Sequence, residues 1–194
     1  MQIILPYILL YLWNISGLCI LQGRLINPAR RIMSKETPES AFFRFKKSVK
    51  TLNLSTLDKN ARPRASYAPF IEDDAGNFYI FVSQLAAHTQ DLLANPEASI
   101  LLLEDEQNAR QIFARQRISY RCKVEIIDKQ HDNYLSILDQ MEGRFGNVIS
   151  LLRTLPDFIL FCLTPYKGQY VKGFGKAYKL SGENLLTLEH ISSA

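Results

Sequence analysis

The chain has 194 residues, 47% of them apolar, and sets 23 Lys and Arg against 19 Asp and Glu for a net charge of +4. That length and apolar content suffice for one well-buried domain, and no block of like charge reads as a nucleic-acid tail or polybasic anchor, so functional basicity must be local. Three widely spaced cysteines (Cys19, Cys122, Cys162) with no Cys-x-x-Cys pair point away from a disulfide framework or zinc site and fit a reducing cytoplasm.

In chain order, Met1 to Gly23 carries no charge and includes the run Ile3 to Trp13, followed by Arg24, Arg30 and Arg31. A bilayer-spanning segment is one reading. Pro6, Asn14, Ser16 and Gly17 interrupt the run and no basic residues precede it, so the preferred reading is an apolar extension over 1–33 outside the fold, with a domain at 34–194. Thr37-Pro38-Glu39 predicts a helix start. Phe42, Phe45, Val49 and Leu52 recur at helical spacing, while Arg44, Lys46, Lys47 and Lys50 fall mostly elsewhere and read as a solvated face. Residues 51–57, 64–71 and 78–82 predict three consecutive antiparallel strands separated by turn-forming segments. Residues 85–93 predict a short helix stopped by Asn95-Pro96, and 98–103 a buried strand.

The strongest period-two pattern runs from Ile112 to Ile127, with Ile118, Tyr120, Cys122 and Val124 on one face and Arg115, Arg117, Arg121 and Lys123 on the other. Cys122 and Cys162 read as small apolar core residues. One or two helices follow over 134–152, then strands at 157–163 and 169–180, where Gly173 and Gly175 mark a bulge or barrel corner. Leu185 to Leu188 closes the pattern as an edge strand. Six to seven strands with short helices predict a mainly β, α+β chain forming a small antiparallel split or closed barrel.

A row of guanidinium groups suits carboxylates or phosphates. Arg115 and Arg117, near the strand start, are placed to meet a cofactor at a barrel mouth, whereas Arg121 and Lys123 read as a solvated outer face. His88 begins a helix, where an imidazole can face an anion, a metal or a carboxylate. Gly173-Phe174-Gly175-Lys176 lacks the pattern of a phosphate loop, and neither a serine-triad elbow nor zinc-like spacing occurs.

The ordered segments Arg62-Pro63, Ser66-Tyr67-Ala68-Pro69-Phe70, Ser83, His88, Asn95-Pro96, Glu104-Asp105-Glu106, Phe113-Ala114-Arg115-Gln116-Arg117, Arg144-Phe145-Gly146, Asp157-Phe158 and Gly173-Phe174-Gly175 resemble the haem-utilisation proteins of the HutZ/HugZ type. These lie within the pyridoxamine 5′-phosphate oxidase-like, FMN-binding split-barrel superfamily, and the resemblance spans about residues 40–190. It implies a cytoplasmic homodimer of split barrels with a haem b site at the subunit interface, used to bind haem or to degrade it and release iron. By the same resemblance Arg117 is the arginine close to haem, and His88 and Asp157 are a catalytic pair facing one another across the interface. The family's haem-iron ligand is a tail histidine at a position falling just after Ala194; His190 precedes that position and is the tail histidine present. The alternatives are an FMN-binding oxidoreductase and a cofactor-free fold member. For FMN, Arg64 matches one phosphate-binding residue, Pro69, His88 and Thr89 replace the other basic ones, and Arg64, Ser83 and Gln116 are the groups left to hold a flavin.

Overall fold

The structure, a computed structural model, describes residues 36–192 and the backbone of 19–21 and 24–26. The chain divides into two compact units, Met1–Glu36 and Thr37–Ala194. In the first, β1 (Cys19–Leu21) and β2 (Arg24–Ile26) pair antiparallel. The apolar run before Cys19, Arg30, Arg31 and the expected start at Met33 lie outside the described residues. Among those described, no helix is long and apolar enough to cross a membrane.

The second unit opens with α1 (Pro38–Ser48). Thr37 caps it by accepting from the Ser40 N–H at 3.1 Å, and proline stands at the first helical turn. Phe42 and Phe45 are buried as the spacing requires. Lys46 is not solvated: it lies over the Phe42 and Phe78 rings, 5.5 and 5.7 Å from their centroids, and pairs with Glu72. Its long apolar stem lets the helix bury it once a carboxylate meets the ammonium.

Strands β3 (Thr51–Leu57) and β4 (Pro63–Pro69) form a hairpin whose turn is held by Asp58 Oδ1, which accepts from the Asn60 and Arg62 N–H groups at 2.8 and 2.9 Å. The expected sequence of three paired strands breaks at Phe70. Pro69 cannot extend the ladder as a donor, and Phe70 turns inward to sit 5.3 Å from the Phe78 ring. The chain restarts as β5 (Ile71–Glu72), which pairs with β6 (Phe78–Ser83). Next come α2 (Ala87–Ala94), β7 (Glu97–Leu103), β8 (Arg117–Ile127), α3 (Tyr134–Phe145), α4 (Val148–Arg153), β9 (Phe158–Gly173), β10 (Lys176–Ser181) and β11 (Thr187–His190).

The segments expected as separate strands at 157–163 and 169–180 are one continuous β9 followed by a hairpin into β10; Gly173 ends β9, Gly175 lies in the turn, and the register shift between Lys176 and Ala177 is the expected bulge. β9 pairs along one edge with β8 for nearly its whole length. Along the other edge, Phe158–Leu163 pair with β6 and Gly168–Gly173 with β10. The sheet therefore runs β11-β10-β9-β8-β7-β3-β4, with β6 branching from the first part of β9, and this branching makes the antiparallel barrel split.

Inside the barrel, Phe42, Leu54, Ile80, Ile100, Leu102, Ile118, Phe161 and Tyr170 are almost completely buried. Cys122 and Cys162 are buried core residues, and burial pushes the Cys122 thiol up to about 12. Helices α3 and α4 cover the outside of β5 and β6 with Ile137, Leu138, Met141 and Ile149.

Gly168 is where β8, β9 and β10 come closest. A methyl group there would lie 2.8 Å from both the Tyr120 ring and Leu180 Cδ1. Gly168→Ala is expected to destabilise the fold by about 1–3 kcal/mol through overpacking, read as a lower urea midpoint with an unchanged slope.

Candidate functional site

The first group of candidate residues gathers where β6 ends and β9 begins. Ser83 is registered against Phe158, which places its hydroxyl beside Asp157; Ser83 Oγ donates to Asp157 Oδ2, and the Gln84 N–H donates to the Asp157 carbonyl at 2.7 Å. Thr89 Oγ1 donates to the Ser83 carbonyl at 2.7 Å, tying the first turn of α2 to the same strand end. His88 is the second residue of α2, and among the described residues its buried Nε2 has no hydrogen-bond partner. Burial, reinforced by nearby Arg64 and opposed by Asp91, holds its imidazole below the usual histidine range.

One turn further along α2 lies a residue that sequence reasoning missed. Asp91 is 5% exposed, and its Oδ2 accepts from Arg64 Nε at 2.6 Å and from Thr56 Oγ1 at 2.7 Å. Burial alone would raise this carboxyl, but the hydrogen bonds from Arg64 and Thr56 outweigh it and hold Asp91 below the ordinary carboxylate range. The available signal was a carboxylate three residues after His88, on the face of α2 that also buries Leu92.

The second group surrounds the start of β8. The expected strand over 112–127 begins only at Arg117, because Ile112–Ala114 form a 3-10 turn. Arg115 therefore does not stand on the strand face with Arg117. It folds back as a staple of the β7–β8 connection, donating from Nε to the Glu104 carbonyl at 2.8 Å and from Nη1 to Glu106 at 3.0 Å. The Gln116 N–H donates to Glu104 Oε2 at 2.8 Å, while its side-chain amide donates to the buried Tyr170 hydroxyl. Arg117 is half-buried and directs one N–H to the Arg115 carbonyl at 3.2 Å. Of the outer cations, Lys123 pairs with Glu97 and Arg121 lies opposite Lys167. His190 ends β11 opposite Tyr178, and its Nε2 donates to the Gly175 carbonyl at 3.1 Å.

The two groups do not meet within one chain. Ser83 is registered against Phe158 and Arg117 against Val171, near opposite ends of β9. At about 3.3 Å per residue that is a separation of tens of ångströms along the strand.

The three side chains left to hold a flavin each make an internal hydrogen bond, Arg64 to Asp91, Ser83 to Asp157 and Gln116 to Tyr170.

The sequence pattern of the Pyridoxamine 5′-phosphate oxidase family matches residues 39–172. The protein named Heme oxygenase HutZ, from Vibrio cholerae serotype O1, is 38% identical over 161 residues, covering 83% of this chain and 90% of that protein. The crystal structure of HutZ from Vibrio cholerae, described as a heme storage protein, aligns with a TM-score of 0.66 and 38% identity over 73% of this chain and 97% of that one. The crystal structure of Campylobacter jejuni ChuZ aligns with a TM-score of 0.71 and 32% identity over 79% of this chain and 61% of that one.

Thr56→Val keeps the shape and removes one charge-assisted bond to Asp91, a loss of about 1.5–3 kcal/mol at neutral pH. The folded-state pKa of Asp91 is depressed, so the stabilisation is present above the unfolded value and is lost as pH falls through the folded one. Urea unfolding of both proteins from pH 7 down to pH 3 should show the gap narrowing only at the acid end.

Proposed function

The chain belongs to the HutZ/HugZ type within the pyridoxamine 5′-phosphate oxidase family, and from that membership we propose that it is a haem-utilisation protein that binds haem b at the interface of a homodimer. The observation that carries the reading is the outer face of the sheet. The row Tyr67–Asn53–Leu101–Ser119–Gln169 crosses five strands without a charge. In the next row, Leu103–Arg117–Val171–Ala177, Arg117 is the single ionised group. Tyr67 stands 68% exposed on this face. The first row continues into Lys179 and Glu189, which pair with each other, and the row beyond Ser119 holds Arg121 and Lys167; the uncharged patch between them suits packing against a second copy, and a guanidinium at its margin suits a haem propionate.

A second copy can also supply partners that one chain lacks, at the start of β9 as well as at its far end. A buried His88 Nε2, unpaired among the described residues, calls for a partner from elsewhere, and Asp157 of a second copy would supply one. That contact would raise the His88 pKa towards neutrality and make the interface sensitive to pH. His190 suits the iron chemically: its Nε2–H is held by a backbone carbonyl, the arrangement that orients a ligating imidazole. Haem, when bound, supplies the dioxygen chemistry of an oxygenase. This chain contributes Arg117 for propionate anchoring and polar control, and His88 with Asp157 as the pair that holds a proton at the seam. Free, buried Cys122 and Cys162 accord with work in a reducing cytoplasm.

Hemin titration should give a Soret change saturating near one haem per protomer. Arg117→Ala should weaken binding by about ten-fold or more, and His190→Ala should abolish or shift the ferric spectrum. An unchanged spectrum in His190→Ala would remove that residue as ligand, and absence of any Soret change in the parent protein would end the haem reading. Bleaching of the bound haem under ascorbate and oxygen assigns degradation, and persistence assigns carriage. Sedimentation should show a dimer that Ser119→Glu, placing a charge in the uncharged row, drives towards monomer.

A further inference from the structure

We propose that Asp91 is the specificity-determining residue that keeps phosphate monoesters out of this fold: an internal carboxylate occupying the anion-binding face of Arg64. The geometry is that of a bound anion. One carboxylate oxygen takes the Arg64 Nε–H at 2.6 Å and the Thr56 hydroxyl at 2.7 Å, while Arg64 itself stays 41% exposed and so lies where a ligand from solvent could reach it. Thr56 is 3% exposed and Asp91 5%, so the acceptor is built into the wall of the barrel and not a mobile surface carboxylate. A phosphate seeking the Nε edge of Arg64 would have to displace that acceptor and leave a buried carboxylate without its cation, a costly exchange; at the remaining guanidinium N–H groups it would still find the cation's charge already paired. It would also meet the negative charge of Asp91 at close range.

The charges facing this point come from three elements. Arg64 lies on β4, Asp91 and His88 on α2, and Asp58, at the end of the β3–β4 hairpin, adds a weaker attraction on Arg64. Asp91 acts on His88 as well, favouring its protonated form. The carboxylate therefore has two separable effects: it neutralises Arg64 towards outside anions and it props up the basicity of His88. The inference extends the proposed selectivity for haem over flavin nucleotide, but it concerns the α2 end of the barrel and is tested without haem.

The experiment compares FMN with riboflavin, which shares the ring and lacks the phosphate, by quenching of flavin fluorescence. The parent protein should bind both weakly and alike. Asp91→Asn and Asp91→Ser should tighten FMN by at least about ten-fold, leave riboflavin unchanged and become sensitive to millimolar inorganic phosphate. Adding Arg64→Ala to either variant should cancel the gain. Nuclear magnetic resonance titration should also place the His88 pKa lower in Asp91→Asn than in the parent. A parent protein that already prefers FMN over riboflavin by ten-fold overturns the inference, whether or not the variants fold. So does a folded variant that gains nothing for FMN. A hemin titration on the same samples reports independently on the haem reading, so the two can fail separately.

Discussion

A single strand with different neighbours along its two halves sets the geometry of this protein. β9 has 16 residues, and β8 accompanies it for most of that length. On its other edge the hydrogen-bonding groups must be satisfied twice over, by β6 near the start and by β10 near the end. Where the partner changes, the barrel opens. The two sets of polar residues are thereby displaced towards opposite ends of the strand, which is the separation that the proposed dimer would bridge. Gly168 lies where the second flank takes over, and its missing side chain leaves room for Tyr120 and Leu180 to converge on the strand.

Electrostatics follow the same economy of position. Three of the candidate cations in the described unit are paired internally, and Arg121 lies opposite Lys167 on the outer face. Arg64 is spent on Asp91, Arg115 on the β7–β8 connection and Lys46 on Glu72. Arg117 differs: among the described residues its one hydrogen bond, to a backbone carbonyl, leaves its charge uncompensated in a row of apolar side chains. An uncompensated guanidinium at the margin of a flat sheet retains the most electrostatic energy to offer a ligand carboxylate, because no described residue competes for it.

Much of the fold was legible because it depends on local pattern. The alternation of Ile118, Tyr120, Cys122 and Val124 gave the inward face of β8, and Thr37-Pro38 gave the start of α1. What escaped was decided by partners distant in sequence. Nothing local to Ile112–Ala114 says that the strand has not yet begun; the Glu104 carbonyl and carboxylate impose that by capturing Arg115 and the Gln116 N–H. The continuity of β9 through Thr164–Gly168 is likewise set by β8, since that stretch contains a proline and a glycine that read as a break. Asp91 was invisible for a related reason. A carboxylate in a short helix is normally solvated, and only the fold brings Thr56 and Arg64 to it.

Those observations bear on how one architecture can serve two kinds of ligand. A nucleotide phosphate demands several donors converging on one small anion, whereas a porphyrin needs a wide apolar seat, an anchor for carboxylates at its edge and a nitrogen at its face. Converting the first into the second is served by neutralising a cation that faces the old anion site, because its charge would otherwise go on attracting phosphate. Asp91 does this from inside the helix with one side chain, and the Arg64 guanidinium can stay in place without inviting phosphate. The split barrel then needs no redesign of its core. On that proposal, a carboxylate on α2 that pairs Arg64 and an unneutralised Arg117 at the start of β8 are the two charge changes that favour a tetrapyrrole over a nucleotide.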